Sequence, residues 1–259
     1  MIDDETDDGD DLLLRDRAIR ALIDRDSRRA GDLYARAAHA ALAGLQAETA
    51  GRDPLSADDR GWVGFGLQYL LLSGLAYRAA GADDRAGTRC REGVLLAKDL
   101  REHVLADDVQ RAGLREYAAD FGVVGGFAGA AAYDGVRDAY EAAAEDLDGD
   151  DQSSWVTTPL FQAATEGPHQ GARNGPHAFE WDDLHGSTPE RYLVHRARFK
   201  RARMPRVVEH VAGGRLHPPR GTTEHGSDDF RCPDCDRNEV NWIAGLEVCL
   251  DCSTPLEPL

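Results

Sequence analysis

Cys232-Pro-Asp-Cys235 is followed after 13 residues by Cys249-Leu-Asp-Cys252, and no other stretch restricts the folding of this chain so tightly. Four of the five cysteines lie in these last 28 residues. Each pair can bend its backbone so that two thiolates point at one centre, and two such turns supply a closed, tetrahedral, all-sulfur site. A disulfide is the competing reading. The chain carries no secretory leader pattern and is expected to be cytoplasmic, where paired thiols more often hold metal. With sulfur in all four positions no place remains for water, so a zinc ion here is expected to be structural rather than catalytic. Iron in the same cage would make an electron carrier, and the ligands alone do not separate the two.

Between the pairs the pattern is that of a hairpin. Val240 and Trp242 alternate with Asn241, Ala244-Gly245 offers a turn, and Leu246 and Val248 resume the alternation. Phe230 is expected on a third strand. About thirty residues bury little core, so the metal is expected to supply most of the folding energy, about 10–16 kcal/mol by analogy with zinc-finger peptides. The motif resembles a zinc ribbon, or the small rubredoxin-like module that ends rubrerythrins. Pro233 stands where those families carry it, while Asp236 and Ser253 replace a common glycine. Asp tolerates the left-handed backbone needed there. The resemblance implies a β module over residues 229–259 with Cys232, Cys235, Cys249 and Cys252 as metal ligands.

The net charge is −17, and of 30 basic residues only Lys98 and Lys200 are lysines. High Asp, scarce Lys and much Ala and Gly resemble the proteins of salt-accumulating, extremely halophilic archaea. At molar salt the Debye length falls to about 3 Å, so this acidity reads first as a solubility device. Residues 1–10 hold six acids and no base, as expected of a disordered tail. The longest apolar run, Phe121 to Tyr133, is too short and glycine-rich for a bilayer span of about 20 residues, so no membrane partner is expected.

Residues 11–150 favour helix throughout, with helices predicted near 11–24, 27–49, 59–80, 83–104, 107–130 and 133–147. Asp53-Pro54 marks a break, Ser56 or Asp58 a cap, and Gly81 with Asp83-Asp84 the tightest turn. Around that turn, Gly74-x2-Tyr77-x3-Gly81-x4-Ala86-x3-Cys90-x2-Gly93 resembles a tetratricopeptide (TPR) repeat, in which small residues let two helices touch while an aromatic fills the gap. Tyr34, Tyr77 and Phe127 are the matched aromatics. The resemblance implies a mainly α fold of TPR-like antiparallel hairpins whose concave face binds a protein partner; a plain helical bundle is the alternative. Cys90 is expected in the core. Gly125 and Gly129, four apart, are expected to let one helix press on another. A phosphate loop at Gly122–Gly129 is excluded, because no strand precedes it and no Gly-Lys-Ser/Thr follows.

Residues 151–228 read as a connecting region, short on helical period over 152–186 and rich in Gly, Pro, His and Trp. Trp155 and Trp181 are expected to pack on the body. Glu180-Trp-Asp-Asp-Leu-His185 invites an acid–base or metal reading, but Asp182 and Asp183 serve as readily as caps. Glu166-Gly-Pro-His169 is the one Glu-x-x-His, and its Gly-Pro argues against the helix a di-iron site needs. A basic helix is predicted over 188–204, ended by Pro205. Arg191, Arg196, Arg198, Lys200, Arg201, Arg203 and Arg206 fall in one run without an acid, with Tyr192 and Phe199 on one face. That is the pattern of a nucleic-acid surface, or of a helix docking on an acidic body. The whole reads as a non-enzymatic adaptor or regulator that binds a protein partner and carries a structural zinc ribbon. A nucleic-acid-associated regulator and a rubredoxin-like iron carrier are the other readings.

Overall fold

Carboxylates at chain turns start several of the helices. In the computed structural model, which describes residues 13–43, 62–214 and 216–259, α1 (Leu14–Ile23) is followed by α2 (Ser27–Leu42), whose cap Asp26 accepts from the Arg29 N–H at 2.9 Å. After α3 (Trp62–Ala79), Gly81 at φ +65° makes the tight turn into α4 (Asp83–His103). Asp107 caps α5 (Asp108–Gly125) through the Val109 and Gln110 N–H groups, and left-handed Gly126 ends it. The body closes with α6 (Ala132–Ala143). The acidic tail, the Asp53-Pro54 break and the Ser56 and Asp58 caps lie outside the described residues.

Helix α3 is apolar on every side, which suits a helix enclosed by others rather than one on a surface. Leu67, Leu70, Leu71, Leu75 and Ala76 have no exposed surface. Helices α2, α4 and α5 pack around α3, and its Ser73 hydroxyl donates to the Gly31 carbonyl at 2.7 Å. Small residues set the spacing: a Cβ at Gly93 would fall 2.4 Å from the Phe121 ring, and one at Gly31 2.9 Å from Tyr77. Cys90 is fully buried, and burial pushes its thiol up to about 12.

The stretch read as short on helical period is largely helix: α7 (Gly149–Val156), α8 (Pro159–Ala172) and the short α9 (Trp181–His185). Glu166-Gly-Pro-His169 lies inside α8, contrary to expectation. A Cβ at Gly167 would stand 2.9 Å from Leu71, so the glycine is where α8 presses on α3, and packing carries the helix past Pro168. Pro205 likewise does not end the basic helix. A 3-10 turn, Pro189–Arg191, leads into α10 (Tyr192–Ala212), where buried Met204, Val207, Val208 and Val211 flank the proline and hold the helix on the core. Helix α10 lies across α3, α5 and α6, and α8 across α3 and α5. Gly129 faces open space, so of the predicted glycine pair only Gly125 makes a close approach, to Cys90 and Phe127. Phe127 is 43% exposed and fills no core position. Trp155 packs against Phe161, and Trp181, though 42% exposed, packs edge-on against Tyr192 of α10.

Five short strands complete the chain: β1 (Thr222–Glu224), β2 (Phe230–Arg231), β3 (Val240–Ile243), β4 (Leu246–Cys249) and β5 (Glu257–Pro258). The fold is thus mainly α with a small C-terminal antiparallel sheet region. The β3–β4 hairpin turns through Ala244 and Gly245, at φ 53° and 71°, as the sequence predicts. The third strand of that sheet is β1 rather than the strand of Phe230, which pairs with Pro258 in a separate ribbon. Ile243, Val248 and Leu216 join the core of the helical body. Among the described residues no helix is long and apolar enough to cross a membrane.

Candidate metal centre

The two Cys-x-x-Cys turns are near copies of one another. In the first, the Cys232 N–H donates to the Arg237 carbonyl at 2.8 Å and the Asp236 N–H to the Cys232 carbonyl at 3.0 Å. In the second, Cys249 donates to Thr254 at 2.8 Å and Ser253 to Cys249 at 3.0 Å. Asp236 and Ser253 have φ of 60° and 64°, the left-handed geometry read from the sequence. Each turn aims backbone N–H groups at its first sulfur: those of Asp234 and Cys235 at Cys232, those of Asp251 and Cys252 at Cys249.

These turns bring the four sulfurs within 4.8 Å of one another. Cys232 to Cys252 is 3.4 Å, Cys235 to Cys249 3.5 Å and Cys235 to Cys252 3.7 Å. A tetrahedral ion with metal–sulfur bonds of about 2.3 Å needs sulfurs about 3.8 Å apart, so the cage fits such an ion. Burial raises the Cys232 and Cys249 thiols. It acts in the same sense on Cys252, but hydrogen bonds from Thr254 outweigh it and bring that thiol down to about 7. The Thr254 hydroxyl lies 2.7 Å from Asp234 Oδ2, so its one hydrogen sits between the two turns.

The second turn is clasped by the end of α8. Arg173 donates to the carbonyls of Pro218 and Leu250, the latter at 2.9 Å, and Asn174 donates to those of Leu250 and Asp251 at 2.9 and 2.6 Å. Gln170 holds the His217 carbonyl at 2.9 Å, and the His217 ring meets Ser253 Oγ at 2.9 Å. The first turn faces outward: Pro233, Asp234 and Cys235 are exposed, and its contact with the body is an exposed Arg25–Asp234 pair at 3.3 Å.

The seven basic residues of the 191–206 run do not share one surface. Arg196 and Lys200 point into the protein and are 0% and 1% exposed. Arg196 donates to both oxygens of Glu116, at 2.7 and 3.2 Å, and Lys200 Nζ lies 2.6 Å from both Glu116 and Asp120. Tyr140 donates to Glu116 and Tyr133 to Asp120, each at 2.6 Å. Two acids on α5 thus meet two cations on α10. Burial acts to raise Glu116, but Arg196 and Lys200 overcome it and hold that carboxyl well below its usual range. Burial pushes Asp120 up to about 6 against the pull of Lys200. Of the others, Arg198 pairs with Glu141 and Arg201 with Asp134 on the surface. Arg203 lies over the Phe199 ring, and Arg191 and Arg206 are exposed. The two aromatics pack on neighbours, Phe199 edge-on to Phe179 and Tyr192 edge-on to Trp181.

In the Glu180–His185 cluster, Glu180 and Asp183 form a capping box for α9. His185 turns inward, where its Nε2 lies 2.8 Å from Arg196 Nη1 and its Nδ1 2.9 Å from the Trp181 carbonyl. Arginine only donates, so Nε2 accepts and Nδ1 carries the proton. Burial and then Arg196 hold this neutral form, with the ring down to about 4. The sequence reading missed this network, although Glu116/Asp120 and Arg196/Lys200 are each spaced four apart and share one helix face. Arg173 offered no such signal. Comparison with models of protein families, with curated proteins and with solved structures finds no match for this chain.

Proposed function

We propose that this chain is a non-enzymatic adaptor: a helical scaffold that carries a structural, zinc-stapled ribbon and presents the ribbon's outer side to a protein partner. The observation that carries the reading is the closed cage of four sulfurs within 4.8 Å, a donor set that leaves no open coordination position. The outward first turn, and Trp242, 37% exposed with Phe230 edge-on at 5.5 Å, support the ribbon as the contact surface. Helices α8 and α10 lie on the face of α3 and α5, which favours the ribbon over a helical groove for the partner. The burial of Arg196 and Lys200 favours internal docking of the basic run over nucleic-acid contact.

The test pairs metal analysis with crosslinking at the protein's native salt. The expected result is one zinc per colourless chain and a crosslinked protein partner mapped to residues 222–259, lost in Trp242→Asp. Coloured, iron-loaded protein would move the reading to the electron carrier. Crosslinks to nucleic acid that vanish in Arg191→Glu/Arg206→Glu would move it to the nucleic-acid regulator.

A further inference from the structure

Arg173, at the end of α8, is 5% exposed. Its guanidinium donates to two carbonyls, and its Nε has no hydrogen-bond partner. Among the described residues no carboxylate pairs with it; the nearby Asp251 carboxylate is engaged by Arg237 at 3.4 Å. A buried cation without an anion is costly, and proteins rarely leave one so. A second cation, Arg220, adds to the cost: burial, then Arg220, holds Arg173 down to about 10, while Asp251 and the Cys249 thiol pull the other way. Leu250, whose carbonyl Arg173 grips at 2.9 Å, directly follows the ligand Cys249. Four thiolates around a divalent cation carry a net charge of −2, because four negative charges meet two positive ones.

We propose that Arg173 is the counter-ion of the metal–tetrathiolate centre, so that loading the cage and clasping the ribbon to α8 are one coupled event. The inference rests on the metal reading above. Without metal Arg173 is a buried charge facing only carbonyls; with metal the loop it grips belongs to a dianionic centre. Linkage makes the coupling mutual: the metal tightens the clasp, and the clasp tightens the metal. Arg173 acts as a positioning residue, since it touches the ligand loop rather than the ion.

The experiment measures zinc affinity of the full chain by competition with a chromogenic chelator. It compares wild type with Arg173→Met, Arg173→Lys and Asn174→Ala, and melts the zinc-free forms. Arg173→Met is expected to weaken zinc by about tenfold or more, in line with outer-sphere substitutions at metal sites. Arg173→Lys is expected to recover most of the loss, although it cannot span both carbonyls. Asn174→Ala, which removes neutral hydrogen bonds to the same loop, should weaken zinc less. Zinc-free Arg173→Met should melt no lower than zinc-free wild type, because an unpaired buried charge has gone. If Arg173→Met does not fold, Arg173→Gln carries the same comparison. Equal zinc affinity in the neutral variant and wild type, or a lysine variant as weak as the neutral one, overturns the counter-ion role. A wild type that binds no zinc overturns the metal reading instead.

Discussion

The helical body and the ribbon both bury charge, and they neutralise it in different ways. Between α5 and α10 two carboxylates, Glu116 and Asp120, meet two cations, Arg196 and Lys200, and tyrosines, Thr165 and backbone carbonyls take up remaining hydrogen bonds. The account closes within the chain. At the ribbon, four thiols lie within 4.8 Å of one another and buried Arg173, bound to carbonyls, has no paired carboxylate among the described residues; on the proposed metal reading a divalent ion balances both. On that reading the body specifies itself, while the ribbon is conditional on an ion from outside. The difference also explains why a basic run that reads as a surface lies partly inside: its cations complete the body's internal balance.

The largest expected break in this comparison is Cys235→Ser. Loss of a ligand removes metal binding worth about 10–16 kcal/mol in zinc-finger peptides, so the ribbon beyond about Arg231 should unfold. Far-UV circular dichroism should keep the helical signal; a collapse of helicity would mean that the body is not self-sufficient. Next comes Arg196→Met, which leaves Glu116 short of its bidentate partner and should cost about 3–5 kcal/mol by denaturant unfolding. Zinc stoichiometry should be unchanged, and loss of zinc would merge the two regions.

The third expectation concerns pH. The folded pKa of His185 is about 4 against an unfolded value of about 6.5, so the folded state resists a proton that the unfolded state accepts. His185 therefore removes about 3 kcal/mol of stability as pH falls from about 6.5 to 4. Asp120, pushed up to about 6, acts in the opposite sense: the folded state takes up its proton first, which adds stability as pH falls from 6 towards 4. Within the helical body these two contributions should largely cancel across the window, and the depressed Glu116 adds a loss from about pH 4.5 downward. His185→Gln should instead gain stability on acidification; a variant that tracks wild type would show that His185 is not held neutral. The smallest effect is Gly93→Ala, where a methyl group would press on Phe121. It should cost about 1–3 kcal/mol in a melt and leave zinc affinity alone.

Much of the scaffold was legible in the sequence because local chemistry decides it. The Gly81 turn, the Ala244-Gly245 hairpin and the left-handed Asp236 each need a backbone that few residues adopt, and the two Cys-x-x-Cys turns announce their own convergence. Elements governed by tertiary contact were hidden. Gly167-Pro168 and Pro205 read as helix breakers because the sequence does not display Leu71 or the buried valines that hold those helices on the core. Strand β1 is exposed along its length, so no apolar alternation marks it. Arg196 and Lys200 looked like their exposed neighbours until α5 supplied Glu116 and Asp120 from 80 residues away. Arg173 gave no signal, since its meaning depends on a loop 77 residues later.

Hydrogen exchange on the full chain, with zinc and after its removal by a chelator, tests the central contrast most directly. Zinc removal is expected to strip protection from residues 231–259 and from the end of α8 around Arg173, while α3, α5 and the Arg196–Lys200 stretch of α10 stay protected. Loss of protection across those helices at the same time, or an unchanged ribbon, would contradict that contrast.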